Sequence, residues 1–347
     1  LIAADVLRGF ATEVFVRAGM PERHARLVAE VLVWADLRGV GSHGVMRIPR
    51  YVAWLESGEM NRDPEMRVVT QTAASVLLEA DRAPGPVAMM EGVTHALRKA
   101  KEAAVGLALV RGTTHTAALG YYTQAAAREG MAAIALSASA PNMAYHGARA
   151  AGVATGPISI AVPGEAGPLV LDMASALVPF GKLAQAKKTG ERLPAGAALD
   201  RAGNPTTDPA AAEIPLPMGG AKGSGLSLMI ECLASLVAAN PLVAPRLEGE
   251  ARARAHRQNG MVIAIDPARF GDAAAFRGEV GRLARAIKGL PRAAEHAEIL
   301  LPGERAARES EKRARDGIPL PPAVRNELSA VAKRLGVREP WTSEERT

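Results

Sequence analysis

Cysteine, aromatic residues and long apolar runs are all scarce in this chain of 347 residues, and each scarcity closes off a class of function. Cys232 is the only cysteine, so no disulfide forms within the chain and no cysteine-based metal site can be assembled. It falls in an apolar helical pattern, which suggests a buried structural thiol. Phe, Trp and Tyr make up 3% of the residues. Lys and Arg number 42 against 36 Asp and Glu, a net charge of +6, but the basic residues are scattered among acids rather than gathered in one arm. With few aromatics to stack on bases, nucleic-acid binding is not the expectation; a mildly positive surface suits small anions. No apolar run reaches the roughly 20 residues needed to span a bilayer, and a reduced, cytoplasmic setting without a membrane is expected. Two nucleotide-binding signatures are missing as well. No GxGxxG follows the first strand and no GK[ST] closes a GxxxxG spacing, so neither an ordinary Rossmann domain nor a Walker A loop is supported.

The remaining composition, 48% hydrophobic and 22% charged, is that of an ordinary globular protein long enough for two domains or one large α/β unit with additions. Residues up to about Gly58 read as three helical segments. "RVVTQT" and "SVLLEA" then read as a strand pair, 87–104 as a helix, and "GLALVRG" as a short buried strand. A helix over 117–129 and the strands "GMAAIALSAS", "GPISIAVPG" and "GPLVLDM" follow, with a helix expected to run from there through Phe180. The stretch 187–217 is loop-like, 223–239 a long helix, "NGMVIAIDP" a strand and 271–287 a helix, and two charged helices end the chain. Such alternation indicates an α/β layer structure around a mostly buried sheet.

The densest chemistry lies in 36–51, "DLRGVGSHGVMRIPRY". Gly39 is placed to end a helix in a left-handed cap. Ser42 stands where an N-cap would start a second helix through Trp54 and Leu55. Pro49 argues instead for a start nearer Ile48, because its ring would clash with the Val45 carbonyl. On one helical face His43, Arg47 and Arg50 or Tyr51 would be neighbours, a proton carrier beside a planar fork that grips carboxylates. The same residues also fit a plain cap and surface role. His115 follows the strand "GLALV" and His146 lies in a glycine-lined turn, whereas His24, His95, His256 and His296 sit among helical surface charges. No HxxxH or His–carboxylate spacing supports a metal site. "GGAKGSG" at 219–225 opens into a helix N-terminus and offers backbone N–H groups and Lys222 to a phosphate, or is simply a flexible turn. "LLPGE" with Arg305 and Arg308 is a second possible anion site, and the Asp172 carboxylate, at a strand end, could accept ribose hydroxyls.

Taken together these stretches resemble the type 2 malate/L-lactate dehydrogenase family. The resemblance runs in order through "ADLRGVGSHGVMRIPRY", "RGTTHTAALGYYTQAAAREGM", "VLDMAS", "GNPTTDP", "PMGGAKGSGLSLMIE", "MVIAIDPARFGD" and "LPGE". It implies a three-layer α/β sandwich with a mixed sheet, of the non-Rossmann L-sulfolactate dehydrogenase-like type. An N-terminal helical part (1–75) would pack with C-terminal helices (301–347) beside a dinucleotide-binding region (76–300). It implies an NAD(P)-dependent oxidoreductase acting on a small 2-hydroxy or 2-oxo acid, with an NADPH-dependent cyclic ketimine reductase as the alternative, and a homodimer with its active site near the interface. His43 matches the family's acid/base histidine and His115 a second histidine given that role in some members. Ser42 and Arg47 match residues lining the substrate. Ser139, Asp172, Met173, Ala174, Lys222, Gly223, Pro302, Gly303 and Glu304 match positions that contact NAD or NADP, and Lys187, Lys188, Arg305 and Arg308 are candidate partners of a 2′-phosphate. The chain departs from the family pattern at Ala138, at Gly156, around His115 and at His146, where a bulky residue such as tryptophan is frequent. These departures leave the fold expectation intact and bear on the substrate.

Overall fold

The computed structural model of the chain describes residues 1–178, 182–183, 186–187, 190–250 and 257–341. Phe180, Lys188 and His256 lie outside the described residues. The centre is a seven-stranded mixed sheet in the order β1-β2-β3-β12-β4-β7-β8. Its strands are β1 (Arg67–Gln71), β2 (Ser75–Glu79), β3 (Val105–Thr113), β4 (Ala132–Ser139), β7 (Pro157–Val162), β8 (Leu169–Ala174) and β12 (Gln258–Ile265). β2 and β3 pair in parallel; every other neighbouring pair is antiparallel. The short strands β5 (Met143–Ala144) and β6 (Ala151–Val153) form a hairpin beside it. The stretch expected to be loop carries a three-stranded sheet of β9 (Ala198–Leu199), β10 (Pro205–Thr206) and β11 (Ile214–Pro215).

The central strands are apolar on both faces because helices cover both. On one face Val110, Ala135 and Val262 pack against Met89 and Val93 of α4 (Gly85–Ala103) and Tyr122 of α5 (Gly120–Arg128). On the other, Leu109, Leu136 and Met261 meet Ile230 of α6 (Ala221–Glu231) and Ala234 of the π-helical turn Cys232–Leu236 that continues it. Three layers result, as the resemblance implies. The 223–239 helix thus changes to π geometry after Glu231, and Cys232, expected buried, is half-buried on that turn. Residues 175–178, expected helical, are not.

A second core joins the two ends of the chain. Leu7, Phe10 and Val14 of α1 (Ala4–Arg17), Val28 and Leu32 of α2 (Glu22–Leu37) and Tyr51 of α3 (Ile48–Ser57) pack with Leu328 and Val331 of the last helix, Pro322–Leu335. Ile2 and Ile318 form a backbone bridge. Ser42 does not cap a helix. Residues Gly41–His43 and Val45–Arg47 form two 3-10 turns, and α3 starts only at Ile48 with Pro49 in its first turn, as the proline's clash with an upstream carbonyl requires. Gly39, at φ 77°, ends α2 as read.

Strand directions decide where loops meet. The C-terminal ends of β3, β4 and β8 and the N-terminal ends of β7 and β12 share one edge of the sheet: Gln258 is registered with both Thr113 and Ser139, and Pro157 with Ala174. Close packing of α4 on β3 depends on Gly106, where a Cβ would lie 1.9 Å from the Ala96 carbonyl oxygen. Gly106→Ala should therefore destabilise the protein by about 1–3 kcal/mol through overpacking, read as a lowered midpoint in thermal denaturation.

Candidate active site

The 3-10 turns after α2 bring His43 against His115, just beyond β3. The two imidazoles stack with centroids 5.4 Å apart and planes 25° from parallel. Each is held at Nδ1 by a hydroxyl. Ser42 Oγ lies 2.9 Å from Nδ1 of His43, and Tyr51 Oη 2.6 Å from Nδ1 of His115. That leaves Nε2 of each ring as the nitrogen available to a ligand. Arg47 spends its Nε on the Ser42 carbonyl at 2.6 Å, so its two terminal nitrogens have no partner among the described residues. His43, His115, Arg47 and Ser42 are thus one cluster, joined by Tyr51.

Its electrostatics follow from crowding. Burial and then the Arg47 charge pull His43 down to about 4. The same causes, with His43 itself, put His115 well below its ordinary value. Burial pushes the Tyr51 phenol up, so it stays protonated. Two neutral imidazoles therefore face a cationic fork at neutral pH.

From this cluster a row of polar groups runs along the sheet edge. Gln258 Oε1 accepts from Thr116 N–H at 3.0 Å and from the Thr116 and Ser137 hydroxyls at 3.2 and 3.3 Å. Ser139 follows at the end of β4. Asn142 Oδ1 then accepts the Thr155 N–H (2.8 Å), Thr155 O the Ser175 N–H (3.1 Å), and Ser175 O the Met218 N–H (2.8 Å). That last bond anchors the glycine–lysine turn. The row crosses four strand spacings, about 19 Å, a reach suited to an extended dinucleotide.

The turn itself is built for close approach. Gly219 and Gly220 sit at φ 60° and 59°, conformations only glycine adopts readily. A Cβ on Gly223 would lie 2.5 Å from the carbonyl oxygens of both Met218 and Ser175. Lys222 is exposed, and the exposed His146 ring lies against Gly220. Ser139, Met173, Ala174, Lys222 and Gly223 therefore line one edge.

Asp172 lies inside β8 rather than at its end. Its Oδ2 accepts the Gly120 N–H at 2.8 Å. Protein packed around that bond pushes the carboxyl up to about 6, while the residue keeps an exposed face. Pro302 and Gly303 run beside β8. Pro302 O accepts the Val170 N–H (3.4 Å), and a Cβ on Gly303 would sit 2.7 Å from Val170 O. Arg38 donates to Gly303 O at 3.4 Å. The Glu304 carboxylate is committed to Lys288 (2.5 Å), to the Leu301 N–H (3.1 Å) and to Arg308, and these hold it down at about 2. Arg308 is also forked onto Glu298, whereas Lys187 and Arg305 are exposed. His24 and His95, expected on solvated faces, are half-buried, and His296 is exposed. No group of three metal-ligating side chains occurs among the described residues, and no described helix is long and apolar enough to cross a membrane.

The family profile described as malate/L-lactate dehydrogenase matches residues 2–329. The chain belongs to the malate/L-lactate dehydrogenase family. It is 34% identical over 346 residues to a malate dehydrogenase of Pyrococcus horikoshii, covering 97% of this chain and 96% of that one; the solved structure of the horikoshii malate dehydrogenase superposes with a TM-score of 0.88 at 97% and 96% coverage. It is 35% identical over 328 residues to the L-sulfolactate dehydrogenase of Methanocaldococcus jannaschii, covering 94% of each. A Δ1-piperideine-2-carboxylate reductase structure from Pseudomonas syringae is 29% identical, with a TM-score of 0.84 and coverage of 95% and 99%. As a member of the malate/L-lactate dehydrogenase family, the chain is an oxidoreductase.

Sequence reasoning placed Tyr51 only on a shared face and missed its bond to His115. The Thr116–Ser137–Gln258 cluster and the carboxylate of Asp36, which accepts the Val45 N–H at 2.7 Å, also went unread. Gln258 carries no motif, and only strand register brings it to Thr116.

The folded His43 value lies below the ordinary 6.5. The neutral ring therefore stabilises the fold fully above pH 6.5, and that contribution is lost as pH falls toward 4. His43→Asn should remove on the order of 3 kcal/mol of the acid-dependent stability loss over that window, measured as the difference between wild-type and variant melting curves at each pH.

Proposed function

We propose that the protein is an NAD(P)-dependent dehydrogenase that interconverts a small, malate- or lactate-like 2-hydroxy acid and its 2-oxo acid. The observation that carries this reading is the neutral His43–His115 pair beside the unpartnered end of Arg47. Arg47 would take the substrate carboxylate in a bidentate grip, with Ser42 alongside. His43, neutral in the free site, would accept the hydroxyl proton during oxidation, and Nε2–H of His115 would hydrogen-bond the same oxygen. A carboxylate on Arg47 cancels part of the positive field that holds both rings neutral. His43 can then hold the proton that reduction requires.

A bound nicotinamide would supply the hydride acceptor or donor. The residues proposed to hold the dinucleotide are Ser139, Asp172, Met173, Ala174, Lys222 and Gly223, with Pro302, Gly303 and Glu304. The glycines that leave no room for a Cβ support this, since they let backbone N–H groups approach an anion. Glu304, tied to Lys288 and Arg308, would contribute backbone and position rather than a free carboxylate. The likeness to a piperideine carboxylate reductase supports a second reading, reduction of a cyclic ketimine by the same groups.

The test is a panel of malate, lactate, oxaloacetate, pyruvate and Δ1-piperideine-2-carboxylate with both cofactors, followed by nicotinamide absorbance. The hydroxy and oxo acids should turn over, and His43→Ala should lower kcat by about two to four orders of magnitude while dinucleotide binding by calorimetry survives. Dinucleotide binding with no turnover of any acid would overturn the reading. Near-normal kcat in His43→Ala would move the acid/base role to His115.

A homodimer is proposed as well. Leu228, Met229, Leu233, Leu236 and Val237 form a stripe at helical spacing along α6 and its π turn, 40–61% exposed, on a helix whose other side already packs on the sheet. A helix apolar all round is a buried one. The stripe descends from the glycine–lysine turn, so a second copy seated there would border that turn, as a shared-interface active site requires. Leu233→Glu combined with Leu236→Glu should convert a dimer into a monomer by sedimentation equilibrium.

A further inference from the structure

Asp36, in the last turn of α2, is 5% exposed, and a buried carboxylate needs a reason. Its Oδ2 accepts the Val45 N–H at 2.7 Å. Val45 opens the 3-10 turn that ends at Arg47, and the first N–H groups of such a turn lack partners within it. The other oxygen lies 2.0 Å from where a Cβ on Gly44 would stand and 3.6 Å from one on Gly41. Gly44 has φ −91°, an angle open to any residue, so the closeness of the carboxylate rather than backbone conformation demands glycine there. The carboxylate is therefore wedged beneath the segment that carries Ser42, His43 and Arg47. Behind it stands the helix Glu304–Asp316. Arg313 donates from Nη1 to the Asp36 carbonyl oxygen at 2.7 Å and pairs through Nε with Glu309 at 2.5 Å. The same helix begins at Gly303, which receives the Arg38 guanidinium. The end of α2 is thus gripped at two points by one helix.

We propose that Asp36 is a positioning residue that sets Arg47 and His43 for the acid substrate, held in place by Arg313 of the helix Glu304–Asp316. The inference rests on the dehydrogenase reading and deepens it, since it assigns the alignment of the substrate-side turn to a carboxylate that touches neither substrate nor cofactor. A misplacement of about 1 Å in a reacting group can cost about a hundredfold. The effect should therefore be large on acid binding and turnover and small on the dinucleotide, none of whose proposed partners bonds to the Asp36 carboxylate.

The experiment measures three quantities for wild type, Asp36→Ala, Asp36→Asn, Arg313→Met and Arg313→Lys: KM and kcat for the best acid of the panel, oxalate affinity of the dinucleotide-loaded protein by calorimetry, and dinucleotide affinity. Asp36→Ala should lower kcat/KM about a hundredfold and weaken oxalate, with dinucleotide affinity unchanged within about threefold. Asn keeps one oxygen for the Val45 N–H, so Asp36→Asn should fall between Ala and wild type. Arg313→Met should show a smaller loss of the same kind, which Arg313→Lys restores. If Asp36→Ala does not fold, the graded losses in Asp36→Asn and Arg313→Met carry the same test. Wild-type values for oxalate and kcat/KM in the Asp36 variants, or a parallel loss of dinucleotide affinity, would overturn the inference. A wild-type protein that turns over no acid would sink the dehydrogenase reading instead, and the oxalate series would still decide the role of Asp36.

Discussion

Two partly buried imidazoles stacked 5.4 Å apart beside a guanidinium resist protonation. Burial disfavours the charged form of each ring, Arg47 repels it, and each ring disfavours protonation of the other. The resting site is consequently neutral at both histidines and positive only at the fork. An anionic ligand alters that balance more than any other species could, because it neutralises the charge that suppresses protonation. In the proposed reaction, recognition of a carboxylate and readiness to move a proton would thus be one electrostatic arrangement. The hydroxyls of Ser42 and Tyr51 complete it by fixing which nitrogen of each ring is free.

Such a recess needs walls from distant parts of the chain. His43 comes from a turn between two helices of the terminal core, His115 from the end of β3, and Tyr51 from α3. The mixed sheet brings the polar row and the glycine–lysine turn to the edge where His115 emerges. Alternating strand direction does this: β3, β4 and β8 all end on one edge, with β7 and β12 starting between them. An antiparallel neighbour such as β12 contributes its first residue, Gln258, where a parallel strand would contribute its last. The terminal core matters for the same reason. Leu328 and Val331 pack with Leu32 and Tyr51, so the last helices support the turn that holds His43.

Much of this was legible in the chain itself. Short apolar runs separated by amphipathic helices specify buried strands between two helical layers. Gly39 and Pro49 bracket the turn that carries His43 for reasons of backbone geometry that need no partner. The collinear stretches that place the chain in the malate/L-lactate dehydrogenase family are local strings, and local strings survive reading in one dimension. The readings that went astray, the sheet strands within 187–217, the absent helix at 175–178 and the helix after Glu231, are those where tertiary packing decides. The π turn after Glu231 follows no propensity, and Cys232 is half-buried because the outer side of that helix faces away from the sheet.

What the amino-acid order determined by itself is the main strands and helices, the candidate chemical groups and the family, because periodicity, capping residues and motif strings are properties of neighbours in sequence. What only the tertiary structure decided is which groups act together and in what charge state. The bond between Tyr51 and His115 spans 64 residues and that between Asp36 and Arg313 spans 277. The low values of the histidines arise from desolvation. Burial and long-range contact exist only after the chain has closed on itself, so no local pattern records them.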